Sequence, residues 1–266
     1  MQLSLRKVGD QNIYYSESDT ESSVQLVFIP GGFNADIWKH QLKYFSKNYK
    51  TVVFEPIQRK EGYNGEKEAL KAVLDQKHLD RTVLISNNLS NPLTQEFEDR
   101  EDVEAVFMTG RLDRLNKPSK TVYKLFWTSI VREPKLARKT LFSDSTDYKV
   151  LKQFSKDVKV PRYQSFESFL EKNVEATNKP SITVYGTHDR FTKLKSIRKV
   201  QKDSCIRVIE RAGTFSFYEK PQEYNKALND FLSSINERLE KDKVEKAKEK
   251  NRSLAEFQKK KVTAVK

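Results

Sequence analysis

The sequence predicts an α/β fold, a mostly parallel sheet flanked by helices on both faces. Three observations carry that prediction. Short runs rich in β-branched and aromatic residues recur at residues 24–29, 51–54, 82–85 and 103–108. Each is nearly continuous in apolar residues, as a strand buried on both faces requires. Segments with helical spacing lie between them. The alternation breaks at about residue 112 and resumes with strand-like runs at 181–185 and 206–209. Strand–helix alternation with short connections implies right-handed crossovers and a covered parallel sheet.

The elements follow in order. Residues 2–8 and 11–15 read as a short hairpin, followed by a polar, acidic turn at 16–23. The run 24–29 is closed by Pro30-Gly31-Gly32. Residues 36–47 place Ile37, Trp38, Leu42, Tyr44 and Phe45 at roughly helical spacing. Residues 66–78 carry the stripe Ala69, Leu70, Val73, Leu74, one apolar helix face. Pro92 opens a helix over 92–100, where its missing N–H costs nothing. Residues 113–179 read as a helical insertion over one end of the sheet, with aromatics at Tyr123, Phe126, Trp127, Tyr148, Tyr163, Phe166 and Phe169. Tyr123, Phe126 and Trp127 either line a lid pocket or form the insertion's own core. A helix at 191–199 and a final amphipathic helix at 221–239 complete the pattern. The expected organisation is a core of residues 1–112 and 180–240, a helical lid or cap at 113–179, and a basic helical or disordered tail at 241–266.

Composition narrows the function classes. A chain of 266 residues is long enough to bury a core without disulfide or metal staples. A single cysteine, Cys205, excludes an internal disulfide and a cysteine-based zinc site, and Cys205 is expected to pack in or near the core. The three histidines, His40, His78 and His188, have no metal-ligand spacing. No apolar run approaches the ~18 residues of a membrane span, and the first residues do not read as a signal peptide. The expected location is therefore intracellular, cytoplasm or nucleus. The net charge of +13 favours an acidic partner, protein, nucleic acid or anionic membrane surface. Nothing implies a cofactor or a metal, and the oligomeric state is open. The tail holds ten lysines and arginines against four acids. Lys246, Lys248, Lys250, Arg252, Lys259, Lys260 and Lys261 would be its nucleic-acid contacts. The alternatives are a solvated helix and, least favoured because the tail lacks a clear apolar stripe, a membrane-surface segment.

Four stretches, in this order, resemble the α/β-hydrolase superfamily over roughly residues 11–239. Ile29-Pro30-Gly31-Gly32-Phe33, with Trp38, resembles the loop that forms the oxyanion hole. Val83 to Asn91 resembles the strand and nucleophile elbow, G-x-S-x-G. Val184-Tyr185-Gly186-Thr187-His188-Asp189 resembles the strand and loop bearing the catalytic acid. Ala212-Gly213-Thr214-Phe215 with the segment 219–224 resembles the histidine loop and the helix after it. The resemblance implies a hydrolase fold with a Ser-His-acid site.

The residues at those positions do not supply that chemistry. The serine position falls on Asn88, the elbow glycines on Ser86 and Ser90, and the histidine on Thr214; only the acid, Asp189, matches. A carboxamide is a poor nucleophile and a threonine is no base near neutral pH. Asn at the elbow fits a turn expected at positive φ, where Asn is enriched. Backbone N–H groups near Phe33 and Leu89 would still point into a cleft, with Gly31 and Gly32 shaping it for a carbonyl or carboxylate. Alternatively the Gly-Gly turn serves only the fold. A shifted register makes Ser90 the nucleophile, and Ser86 is a further candidate, with His188 as base. The predicted function is a non-catalytic hydrolase-like binding or scaffold protein, with a nucleic-acid or ribonucleoprotein assembly as its expected setting. The alternatives are a serine hydrolase with an altered triad and a small-ligand sensor.

Overall fold

The predicted apolar runs become the central strands of one eight-stranded sheet. The structure, a computed structural model, describes residues 3–8, 11–56, 62–76, 81–110, 129–159, 168, 177–191, 198 and 205–263. Strands β1 (Ser4–Val8) and β2 (Gln11–Glu17) form the antiparallel hairpin at one edge. Strands β3 (Gln25–Ile29), β4 (Lys50–Pro56), β5 (Thr82–Ser86), β6 (Val103–Thr109), β7 (Ser181–Gly186) and β8 (Ile206–Ile209) are mutually parallel where they pair. The spatial order is β1-β2-β4-β3-β5-β6-β7-β8. All five residues of β3 and of β5 are buried, which explains their unbroken apolar character. Each Val, Leu, Ile or Phe taken from water there contributes roughly 1.5–3 kcal/mol.

Helices fill the connections. A 3-10 turn, Ala35–Trp38, leads into α1 (Lys39–Phe45). Helix α2 spans Gly62–Leu74; it starts four residues before the expected 66, so that start was set too late. Helix α3 spans Asn91–Phe97 with Pro92 in its first turn. In the long β6–β7 connection the structure describes α4 (Pro134–Thr140) and α5 (Tyr148–Asp157). Tyr123, Phe126, Trp127, Tyr163, Phe166 and Phe169 lie outside the described residues, as does most of the expected helix at 191–199. A short α6 (Ser216–Glu219) precedes α7 (Pro221–Thr263).

The chain divides into two units, Met1–Ala227 and Leu228–Lys266, with the boundary inside α7. The first unit holds the whole sheet. The second, over its described residues, is a continuous helix to Thr263. In the first unit, Trp38 packs between Phe28 and Phe217 at ring-centroid distances of 5.5 and 4.6 Å. Its indole N–H donates to the Ile29 carbonyl at 3.0 Å, which anchors the chain just after the loop at residues 30–33. Cys205, beside the start of β8, is only half-buried.

Candidate functional site

The strand order makes β3 and β5 neighbours although β4 lies between them in sequence. The connections leaving these two strands therefore diverge, and the crevice outside the carboxyl ends of such strands is where open α/β sheets bind ligands. The register places Ile29 beside Ser86. The loop at 30–33 and the turn at 87–90 consequently start side by side.

The turn after β5 is an Asx turn. Asn87 Oδ1 accepts from Leu89 N–H at 3.0 Å, and the Asn87 carbonyl accepts from the Ser90 and Asn91 N–H groups at 3.0 and 3.1 Å. The Asn87 amide donates to the Pro30 carbonyl at 2.5 Å, tying the turn to the neighbouring loop. A Cβ on Gly31, whose φ is +69°, would stand 2.4 Å from Asn87 Oδ1, so glycine is needed there on both counts. The expectation that Asn88 sits at positive φ is corrected: among the described residues the only non-glycine with positive φ is Arg211, at 55°. The Asn87 side chain closes the Asx turn through Leu89 N–H and its main-chain carbonyl takes the helix-like bonds, so the turn needs no left-handed residue.

Both candidate serines are engaged in this turn. Ser90 Oγ accepts from Asn87 N–H at 3.0 Å and donates to the Ile29 carbonyl at 3.1 Å. Ser86 Oγ donates to Asn91 Oδ1 at 2.7 Å. Neither has a histidine partner among the described residues. His188, proposed as base, is exposed and its backbone N–H bonds the Ala212 carbonyl. His40 stacks edge-on against Tyr218 at 5.0 Å; burial, with Lys39 nearby, holds its pKa below the usual value. His78 lies outside the described residues.

The three triad positions do converge. Thr214 Oγ1 donates to Asp189 Oδ1 at 2.9 Å, and the same oxygen accepts from Phe191 N–H at 2.9 Å. A Cβ on Gly110 (φ +52°) would meet Asn88 Nδ2 at 2.2 Å and Asp189 Oδ2 at 3.4 Å, which brings the amide and the carboxylate to one spot. Asn88, Asp189 and Thr214 are all buried. The two polar atoms of the Asn88 carboxamide have no hydrogen-bond partner among the described residues.

The donors expected to bind an oxyanion are largely taken by the chain itself. Gly31 and Gly32 N–H donate to the two oxygens of Glu66, at 2.6 and 2.5 Å, and Glu66 is itself buried. The Leu89 N–H, expected to face a cleft, is instead spent on Asn87 Oδ1. Phe33 is buried edge-on against Phe215 at 5.8 Å. Phe215 also meets Phe142 and Phe154 from the β6–β7 connection at 6.2 and 5.7 Å. Aromatic rings from three loops thus gather between the expected oxyanion loop and the Thr214 loop.

Comparison with solved structures gives the same architecture. A bromoperoxidase from Bacillus anthracis superposes with a TM-score of 0.69 at 12% identity, over 87% of this chain and 100% of that one. Est816, described as an N-acyl homoserine lactone degrading enzyme, gives 0.67 at 19% identity over 85% and 99%. A thermophilic esterase from Thermogutta terrifontis gives 0.65 at 13% identity over 88% and 98%. The chain has the α/β-hydrolase fold. No protein-family model matches its sequence, and no curated protein does either.

Within that hydrolase fold, sequence reasoning missed Gly110, Glu66 and Glu219. Glu66 had a signal: it sits at i, i+3, i+4, i+7 with Ala69, Leu70 and Val73, a carboxylate on the apolar stripe of α2. Glu219 had none. It is buried and accepts from Gly213 N–H at 2.7 Å, Ser143 Oγ at 2.5 Å and Thr146 Oγ1. The candidate nucleic-acid contacts Lys246, Lys248, Lys250, Arg252, Lys259, Lys260 and Lys261 lie along the helical backbone of α7. No described helix is long and apolar enough to cross a membrane.

Proposed function

We propose that this chain uses the hydrolase fold to bind rather than to hydrolyse, as a scaffold or binding subunit. The observation that carries the reading is the Thr214–Asp189 hydrogen bond opposite Asn88. The acid position is occupied and oriented, but toward a hydroxyl that accepts no proton near neutral pH. The elbow presents a carboxamide, which does not attack an acyl carbon. Glu66 and Asn87 occupy backbone donors that would otherwise stabilise an oxyanion, which supports the same reading.

The test is covalent labelling with a fluorophosphonate together with turnover of short acyl esters. The expected result is neither labelling nor turnover. Turnover that Ser90→Ala or Ser86→Ala abolishes would overturn the proposal in favour of an altered serine hydrolase.

The partner in this reading is acidic, a nucleic acid or ribonucleoprotein, met by the basic residues of α7. Phosphate contacts by lysine and arginine release counterions, so binding would be salt-dependent and tolerant of sequence. Neutralising Lys246, Lys248, Lys250 and Arg252 to glutamine in the full chain should weaken RNA binding and flatten its salt dependence. Equal affinity would remove these residues from the account.

A second reading, a small-ligand sensor, is favoured by the Asn88 carboxamide, buried without a described partner beside Asp189. A small amide that raises the melting temperature of the wild type but not of Asn88→Ala would support it.

A further inference from the structure

A second concave site lies against α1 and β4 and shares no residue with Asn88, Asp189 and Thr214. It is a cavity of about 670 Å³ whose lining includes Leu3, Leu42, Val53, Lys39, Lys43 and Lys47. That volume is within the ~300–1,000 Å³ usual for small-molecule sites. Its wall combines two chemistries. Leu42 and Val53, with Ala35, give an apolar floor between α1 and β4. Lys39, Lys43 and Lys47 recur every fourth residue and give a cationic rim.

The rim charges are not equivalent. Lys39 is paired with Asp157 and lies over the Tyr218 ring at 5.4 Å. Lys43 and Lys47 are exposed and make no ion pair with a described residue. Asp36, the acid among the lining residues, accepts from Asn34 Nδ2 at 2.9 Å. Lys39 and Lys43 lie on α1, and Lys47 follows in the turn beyond its last residue, Phe45. Lys43 and Lys47 are two exposed cations beside an apolar floor, which suits an anion with an apolar body. A bare inorganic anion would leave the floor without a partner; a neutral apolar molecule would leave the two ammonium groups without one.

We propose that this cavity binds an amphiphilic organic anion, its carboxylate or phosphate on Lys43 and Lys47 and its hydrocarbon body against Leu3, Leu42 and Val53. Lysine serves either head group as a point charge. The chemistry is shared by a free acyl carboxylate and an alkyl phosphate.

The test titrates octanoate, octyl phosphate, 1-octanol and inorganic phosphate into the full chain, reading methyl chemical shifts and calorimetry. The expected result is binding of the two amphiphilic anions, with methyl shifts at Leu3, Leu42 and Val53. Octanol and inorganic phosphate should each bind at least tenfold more weakly. The double variant K43Q/K47Q should lose at least tenfold in affinity at unchanged melting temperature, since both side chains are exposed. Tighter binding of octanoate would assign the acyl carboxylate, and tighter binding of octyl phosphate the phosphate head. The proposal is overturned if octanol binds as tightly as octanoate, if K43Q/K47Q binds both anions unchanged, or if the shifted methyls lie elsewhere.

Discussion

The loop at residues 30–33 and the loop at 210–215 flank the same crevice, and each is pinned by one buried glutamate. Their clamps differ in reach. Glu66 stands on α2 and takes two successive backbone N–H groups, Gly31 and Gly32. Glu219 takes Gly213 N–H from its own loop and, across 76 residues, the Ser143 hydroxyl and N–H; it also takes Thr146 Oγ1. The first clamp shapes one loop. The second joins a loop to the β6–β7 connection. The backbone cost differs too: Gly31 and Gly32 adopt positive φ without a Cβ, whereas Arg211 does so with one. A Cβ on Gly31 would meet Asn87 Oδ1 at 2.4 Å, whereas Arg211 is held by its N–H, which donates to Thr187 Oγ1 at 2.8 Å.

The comparison is tested most strongly at Glu219. Replacing it with alanine leaves several buried donors unpaired, and each such group costs about 1–3 kcal/mol. Glu219→Ala is expected to lower unfolding free energy by at least about 3 kcal/mol, read from the denaturant midpoint, with faster hydrogen exchange at both Gly213 and Ser143. Exchange confined to Gly213 would break the idea of a joint. Glu66→Ala should cost less, about 2 kcal/mol, with faster exchange at Gly31 and Gly32 and none at Ser143. Arg211→Gly should stabilise by about 1 kcal/mol through relief of the left-handed conformation, seen as a raised melting temperature; no gain would mean that residue is unstrained.

The smallest effect is expected at Asp157 on α5. Burial pushes its carboxyl pKa up, but hydrogen bonds from Lys39, Tyr218 and Gln153 outweigh this and hold it below the usual value. A depressed carboxyl pKa contributes stability above the unfolded value of about 3.9, and that contribution is lost as pH falls through the folded value. Asp157→Asn should therefore lose less stability than wild type as the pH falls below about 4. Parallel acid limbs would show that this pairing carries no linkage.

Much of the fold was legible because its cause is local. The runs at 24–29, 82–85 and 103–108 needed burial on both faces, and only covered parallel strands provide it. The ends were less legible. Helix α2 begins at Gly62 because Tyr63 and Glu66, polar-tipped residues, lie on its buried face. Helix α7 passes residue 239 to Thr263 although the amphipathic pattern fades. At the crevice, the residues Asn88, Asp189 and Thr214 were named from the sequence, and the structure brings Asn88 and Asp189 close at Gly110. The positive φ assigned to Asn88 was not, because the residue before it supplies a side-chain acceptor that makes it unnecessary.

By itself, the sequence determined which functional groups stand at the strand ends: an amide after β5, a carboxylate after β7 and a hydroxyl after β8. Side-chain chemistry is fixed by residue type, wherever the chain puts it. Only the tertiary structure decided where the backbone donors go. Glu66 meets Gly31 and Glu219 meets Ser143 across 35 and 76 residues, and buried donors are assigned by whichever acceptor packing brings within reach. Hydrophobic periodicity carries no trace of such pairings, since it records burial and not the partner.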